Sequence, residues 1–230
     1  KIIKKGKVLF EIGMLIAKNI IKRYASLQVL KGIDLNINKG EIVSIVGASG
    51  AGKSTLLHIL GTLDQPDSGS LIIDGQDVTQ LGEKALATFR NEKIGFIFQF
   101  HNLLGEFSAL ENVCMPSFIS GKGDKAVRDR AEELLVMLGL KDRINNLPSQ
   151  MSGGEQQRTA VARALMNAPA IIFADEPSGN LDSKNAQELH ELFFTLRDQF
   201  QQTFVIVTHN EELANMADRK LIMQDGLIVN

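Results

Sequence analysis

The sequence predicts an α/β fold, a mostly parallel sheet with helices on both faces, and three observations carry that prediction. Apolar runs at Ile42–Val46, Ala170–Ala174 and Thr203–Thr208 are nearly continuous rather than alternating, as strands buried on both faces are. Each run stops at residues suited to a site rather than to a core: Gly47, Asp175 and His209. Between the last two runs lies Ser183–Phe200, an amphipathic stretch with Leu189, Leu192, Phe193, Leu196 and Phe200 expected inward. It reads as the crossover helix that parallel strands require.

At 230 residues the chain suits one sizeable α/β domain or a core with a subdomain. A net charge of −2 gives no sign of nucleic-acid or anionic-lipid binding, and no nucleic-acid partner is expected. The single cysteine, Cys114, excludes an internal disulfide and suits a reducing compartment; no partner base is evident that would make it a nucleophile. No apolar run approaches the roughly 18–20 residues of a membrane helix, so a membrane role is expected to come from a partner.

Lys1–Gly13 reads differently from the rest. Its basic residues before an apolar patch resemble a signal peptide, but Glu11 interrupts the patch and no small-residue cleavage site follows. Residues 1–13 are expected to be an upstream or non-native extension, ahead of a true N-terminal strand and of a basic membrane-contacting arm, with Met14 as a natural start and 14–230 as the working unit. Met14–Lys22 alternates loosely and reads as a strand, with Tyr24 just beyond it. As the only tyrosine, in a chain without tryptophan, Tyr24 is either a strand-end aromatic or a platform for stacking a base. Leu30–Ile37 and Glu41–Val46 are further strands, joined by Asn38-Lys39-Gly40.

Gly47-Ala48-Ser49-Gly50-Ala51-Gly52-Lys53-Ser54-Thr55 fits the pattern G-x-x-x-x-G-K-S/T, after an apolar run and before the helical Leu56–Leu60. A glycine turn opening a helix is the plain alternative, but strand, loop and helix in that order are what a phosphate-binding loop needs. Backbone N–H groups wrap the phosphates and the helix start adds positive potential. Lys53 is placed to reach the outer phosphates and Ser54 to ligate Mg²⁺.

Beyond the loop, Ser70–Ile73 and Gln76–Val78 form a hairpin around Asp74-Gly75. Ile94–Phe98 is another buried strand with Gln99 at its mouth, where open α/β sheets bind ligands. From 100 to 166 the pattern turns helical, with Val127, Ala131, Leu134, Leu135 and Leu138 on one face and Gly139 as a cap. This segment reads as an inserted helical subdomain.

Three further groups carry chemistry. Asp175, closing an apolar strand, sits where a carboxylate would hold Mg²⁺, and Glu176 where one would orient or deprotonate an attacking water. His209 leaves a strand on the same side; its spacing alone leaves open whether it reaches a phosphate. His58, His101 and His190 read as structural or surface residues. In Met151-Ser152-Gly153-Gly154-Glu155-Gln156-Gln157-Arg158, Ser152 and Glu155 form a capping box. Two glycines in a first helical turn cost roughly 1 kcal/mol each relative to alanine. They leave bare N–H groups that suit an anion.

From Tyr24 to its C-terminus the chain resembles the ATP-binding subunits of ABC transporters. Tyr24 matches the adenine-stacking aromatic, Gly47–Thr55 the Walker A loop, Gln99 the Q-loop glutamine and Ser152–Glu155 the signature. Asp175 and Glu176 match the Walker B pair, Ser178-Gly179-Asn180-Leu181-Asp182 the D-loop, and His209 the switch histidine. The resemblance implies a P-loop NTPase core of RecA type, an N-terminal antiparallel β subdomain and an inserted helical subdomain. It also implies ATP and Mg²⁺ as cofactors, with Ser54, Gln99 and Asp175 toward the metal and Glu176, His209 and Gln99 in catalysis. A head-to-tail homodimer would place Ser152, Gly153, Gly154, Glu155 and Asp182 on the partner's nucleotide. The one departure is Glu155, where the family carries glutamine. It would accept from ribose hydroxyls, or repel if it lay close to a γ-phosphate.

Within the family, Phe98–Leu104, Ala109–Val113 and Ala174–Asp182 resemble the bacterial branch of lipoprotein-releasing (Lol-type) and macrolide-export (Mac-type) ATPases and their cell-division relative. That implies integral membrane permease subunits as partners and a place on the cytoplasmic face of the inner membrane. Lipoprotein release is favoured over macrolide or peptide efflux and over a cell-division role. A DNA-repair ATPase of this class would need a long coiled coil that the interval from Thr55 to Ser152 is too short to hold. A translation factor usually carries two cassettes. A non-hydrolysing sensor conflicts with the presence of Glu176 and His209.

Overall fold

The computed structural model of the chain describes residues 13–229, so the expected extension over residues 1–13 falls, except for Gly13, outside them. The strands are β1 (Leu15–Tyr24), β2 (Leu27–Ile37), β3 (Ile42–Val46), β4 (Ser68–Ile73), β5 (Gln76–Asp77), β6 (Ile94–Phe98), β7 (Ile171–Asp175), β8 (Thr203–Val207), β9 (Arg219–Gln224) and β10 (Leu227–Ile228). The helices are α1 (Lys53–Leu60), α2 (Glu83–Lys93), α3 (Ala109–Ile119), α4 (Asp124–Met137), α5 (Gly153–Leu165), α6 (Ser183–Phe200) and α7 (Glu211–Met216).

Two sheets result. The first is antiparallel, in the order β2-β1-β4-β5. The loose alternation of β1 has a cause: pairing with β2 slips between Ala17 and Ile20, and Asn19 takes φ +49°. One extra residue returns Ile20 to the buried face. The β4–β5 hairpin turns on Asp74 and Gly75, both at positive φ, as a two-residue turn matched to strand twist demands. The second sheet runs β10-β9-β3-β8-β7-β6 and is parallel but for β10.

Side chains alternate across that second sheet and feed two apolar clusters. Ile171 and Phe173 of β7 join Ile45, Leu56, Leu57 and the inner face of the first sheet. Ile172 and Ala174 join Ile97, Val113, Leu135, Val161, Phe193 and Phe204, so α3 to α6 share a core with the sheet. Each fully buried Leu, Ile or Phe contributes about 1.5–3 kcal/mol. Both faces of β3, β7 and β8 are thereby covered, and function is left to their C-terminal ends.

The face expected for α4 is buried, and Gly139 ends the helix at φ +73°, with Leu140 N–H on Leu135 O and Gly139 N–H on Val136 O. Helix α2 carries a single buried residue, Leu86, too little apolar period to announce it in the sequence. One expected position is corrected: Phe200 is not inward. It is the last residue of α6, beside the left-handed Gln201, and is 55% exposed because the helix has run past the cluster that covers Phe193 and Leu196.

Candidate nucleotide site

The loop after β3 is shaped by what lies beneath it. A Cβ on Gly47 would sit 2.1 Å from the Met223 carbonyl of β9. Gly52, at φ +101°, holds a backbone that side chains disfavour, and it opens α1. The β9–β10 turn clamps the loop from the side, Gly226 N–H donating to Ala51 O at 3.1 Å. Ala48, Ser49 and Gly50 stay exposed while Ala51 is buried. Lys53 Nζ donates to Gly47 O (2.8 Å) and Ala48 O (3.0 Å), folding its ammonium back on the loop's own carbonyls. Those bonds are weak enough to exchange for a phosphate, whose charge makes stronger partners.

Asp175, last residue of β7, lies beside this loop. Burial pushes its carboxyl up, and His58 and a hydrogen bond with Ser54 pull it part of the way back. A hydroxyl and a carboxylate at the loop mouth form a hard-oxygen pair that fits Mg²⁺, an ion that keeps waters and substrate phosphates as its other ligands. Among the described residues no cluster of three His, Cys, Asp or Glu could hold a metal by itself.

Glu176 follows in the left-handed region at φ +47°, which costs a non-glycine residue about 1–3 kcal/mol. Three bonds hold it there. Its N–H donates to Val207 O (2.9 Å), its carbonyl accepts from Gly179 N–H (3.0 Å), and Oε2 accepts from His209 N–H (3.1 Å). His209 Nδ1 lies 2.8 Å from the same oxygen, with the imidazole exposed. Gln99 is turned elsewhere: its amide donates to Asn180 Oδ1 (3.0 Å), and Asn180 Nδ2 donates back to Gln99 O (3.2 Å).

Tyr24 stands at the end of β1, half exposed, its hydroxyl donating to Asp64 Oδ2 at 2.6 Å. The Asp64 bond raises its pKa, and Thr55 also reaches its oxygen. The aromatic thus borders the loop's last residue.

The capping box is present: Glu155 N–H donates to Ser152 Oγ (3.3 Å) and Ser152 N–H to Glu155 Oε2 (2.8 Å). The departure at Glu155 finds its partner here, because Arg143 Nε donates to Glu155 Oε1 at 2.8 Å. The Ser152 amide and the Arg143 guanidinium together hold this carboxyl below the usual range. The two glycines differ in duty. A Cβ on Gly154 would lie 2.1 Å from Asn185 Oδ1 of α6, whereas at Gly153 it would meet only Leu181 at 3.7 Å. Gly154 lets two helices meet; Gly153 is exposed and leaves its backbone open to a ligand. Asp182 caps α6, accepting from Asn185 N–H at 2.9 Å.

Tyr24, the loop, Asp175, Glu176 and His209 therefore gather along one mouth of the sheet. Ser152, Gly153, Gly154 and Asp182 form a second group on α5 and α6. Gln157 joins α5 to the sheet ends, its buried amide donating to Pro177 O at 2.7 Å. Sequence reasoning missed Asp64, Arg143 and Gln157, whose partners lie 40, 12 and 20 residues away with no periodic signal to link them.

The family model described as ABC transporter matches residues 30–179. The lipoprotein-releasing system ATP-binding protein LolD of Cytophaga hutchinsonii is 60% identical over 213 residues, covering 93% of this chain and 97% of that protein. The LolD of Bacteroides thetaiotaomicron is 60% identical over 215 residues, covering 94% and 99%. Among solved structures, the ATP-binding cassette MJ0796, a dimer in a post-hydrolysis state bound to ADP and Pi, superposes with a TM-score of 0.86. Its identity is 41%, with 94% of this chain and 97% of that chain covered.

Proposed function

The chain belongs to the ABC transporter family, and from that premise we propose that it is the ATP-hydrolysing subunit of a bacterial lipoprotein-releasing system. The observation that carries the reading is Glu176, held in left-handed backbone at the mouth of β7 and bonded to His209, directly after the Asp175 that reaches Ser54. The LolD relatives, matched over almost their whole length, supply the substrate class.

In this reading Tyr24 stacks the adenine, the loop from Gly47 to Thr55 wraps the phosphates, and Lys53 exchanges its two carbonyls for phosphate oxygens. Ser54, Asp175 and Gln99, the last after release from Asn180, would hold Mg²⁺, which would supply positive charge against the charge developing on the phosphates. Glu176 Oε1 takes a proton from water as the water oxygen attacks the γ-phosphorus and the bond to the bridging oxygen breaks, yielding ADP and phosphate. His209 fixes the other oxygen of Glu176, so the base meets the water already aligned.

A second copy, head to tail, would bring Ser152 and Gly153 onto the γ-phosphate, with Asp182 nearby, as the dimeric state of MJ0796 supports. A membrane partner would sit on the groove lined by Phe96, Phe98, Asn102, Pro116, Ile119 and Arg163, about 550 Å³ in volume, with Phe100 exposed close in sequence. Docking there would place the chain on the cytoplasmic face of the inner membrane.

The test is reconstitution. The tagged chain, captured from solubilised membranes, should bring down integral membrane subunits. In proteoliposomes that complex should release a lipoprotein only with hydrolysable ATP. Export of a macrolide without lipoprotein release would instead assign the chain to the efflux arm of the branch.

A further inference from the structure

Helix α1 presents its N-terminus to the phosphate loop, and the chain that leaves its C-terminus returns to Tyr24. After Leu60 the backbone reverses through Thr62 at φ +62°, and Leu63 and Asp64 N–H both donate to His58 O, at 2.8 and 3.2 Å. Arg90 holds this reversal by donating to Thr62 O (2.5 Å) and Thr62 Oγ1 (3.1 Å). Asp64 is thereby set on rigid backbone. Its Oδ2 accepts from the Tyr24 hydroxyl (2.6 Å), and its Oδ1 accepts from Lys22 Nζ (2.7 Å) and Gln65 N–H (2.7 Å).

We propose that Asp64 is a positioning residue for nucleotide binding: it pins the Tyr24 hydroxyl and so fixes the ring plane on which the adenine stacks. The role rests on the reading of Tyr24 as the adenine platform. A phenol on two rotatable bonds, half exposed at a strand end, would otherwise sweep a wide arc, and stacking would have to order it each time a nucleotide binds. Lys22 completes the mount. Nearly buried itself, it donates to Asp64 and to Gln65 O (2.7 Å), and its Nζ lies 5.1 Å from the Tyr24 ring centroid. One side of the ring is thus backed by a cation and the rest is left to a base. Burial alone would push Asp64 up, yet its bonds to Lys22 and Tyr24 leave it below its usual range, so it stays an anion.

The same short helix consequently sets both ends of the ligand. Its first turn meets the phosphates, and Asp64 aims the aromatic at the other end. A base-bearing nucleotide should feel a change at Asp64 that a bare chain of phosphates does not.

The experiment measures binding of ATP and of inorganic tripolyphosphate to the full chain by calorimetry, for the parent, Asp64→Ala, Asp64→Asn, Tyr24→Phe, Tyr24→Ala and the Tyr24→Phe/Asp64→Ala double variant. Asp64→Ala should weaken ATP roughly five- to ten-fold, a good part of what base stacking on an aromatic supplies, and leave tripolyphosphate unchanged. Asp64→Asn, which still accepts from the phenol, should lose less. Tyr24→Phe, which loses the same phenol–carboxylate bond, should also weaken ATP and spare tripolyphosphate, and the double variant should lose less than the sum of the two single losses, because that bond is common to both. Tyr24 is the only tyrosine and tryptophan is absent, so the tyrosine emission is its own. That emission should rise in Asp64→Ala as the carboxylate leaves the phenol. Equal weakening of ATP and tripolyphosphate would mean general damage to the fold and would overturn the proposal. So would unchanged ATP binding by Asp64→Ala beside a clear loss in Tyr24→Ala. If Tyr24→Ala also binds ATP normally, the platform reading itself fails and takes the proposal with it.

Discussion

Oxygen Oε2 of Glu176 is bonded twice to one residue, lying 2.8 Å from Nδ1 of His209 and accepting from its main-chain N–H at 3.1 Å. One oxygen of the carboxylate is committed to His209, which leaves Oε1 for the water in the proposed hydrolysis. Glu176→Gln keeps the shape and removes the proposed base. It should lower turnover by about 10²–10⁴ while ATP still binds. An ATP-bound dimer should then accumulate, read by light scattering after gel filtration. His209→Ala removes only the aim and should cost less, about 10–10² in kcat. Turnover of Glu176→Gln within ten-fold of the parent would dismiss Glu176 as the base.

Lys53 and Ser152 belong to different halves of the proposed composite site. Lys53→Ala and Ser152→Arg should each be inactive alone. Mixed in equal parts, half the dimers pair the two variants and each such dimer has one intact site. About a quarter of all sites should therefore recover. Phosphate release by the mixture no higher than by either variant would place both residues within a single chain's site.

Arg143 pairs with Glu155, the acid standing where the resemblance to the family implies glutamine, at 2.8 Å. Without it Glu155 would add unpaired negative charge to the helix start proposed to meet a phosphate. Arg143→Ala should cut phosphate release two- to five-fold, in line with about 0.5–1 kcal/mol for a partly exposed pair. Glu155→Gln should restore it. A deficit that persists in the double variant would show that Arg143 acts on something other than this charge.

His190 is buried with Nε2 3.1 Å from Ser178 Oγ and, among the described residues, no hydrogen-bond partner on Nδ1. Burial lowers its pKa, so the folded chain resists a proton that the unfolded chain accepts near pH 6.5. Between the folded and unfolded values the unfolded state binds more protons, so stability rises with pH and is lost as pH falls below about 6.5. Thermal melting should shift down between pH 7.5 and 5.5, and the shift should shrink in His190→Gln. An unchanged slope in that variant would assign the acid sensitivity to other groups.

Much of the site was legible because its signals are local. The loop from Gly47 to Thr55, the Ser152–Glu155 capping box and the acids closing β7 lie within a few residues of their partners, where backbone geometry leaves few choices. Helix α2 was not legible, since one buried leucine makes no period. Phe200 misled because amphipathic spacing extends to the end of α6, whereas the core that would cover it stops a turn earlier.

From sequence alone came the α/β class, the loop and the place of the acids at the end of β7, because repeating polarity and short-range hydrogen bonding are written in neighbouring residues. Tertiary structure alone decided that Gly154 makes room for Asn185, that Gly226 clamps Ala51, that Arg143 answers Glu155, and that Asp64 holds Tyr24. Those pairs come together only when packed layers bring distant segments within bonding distance, and no local pattern records which groups will meet.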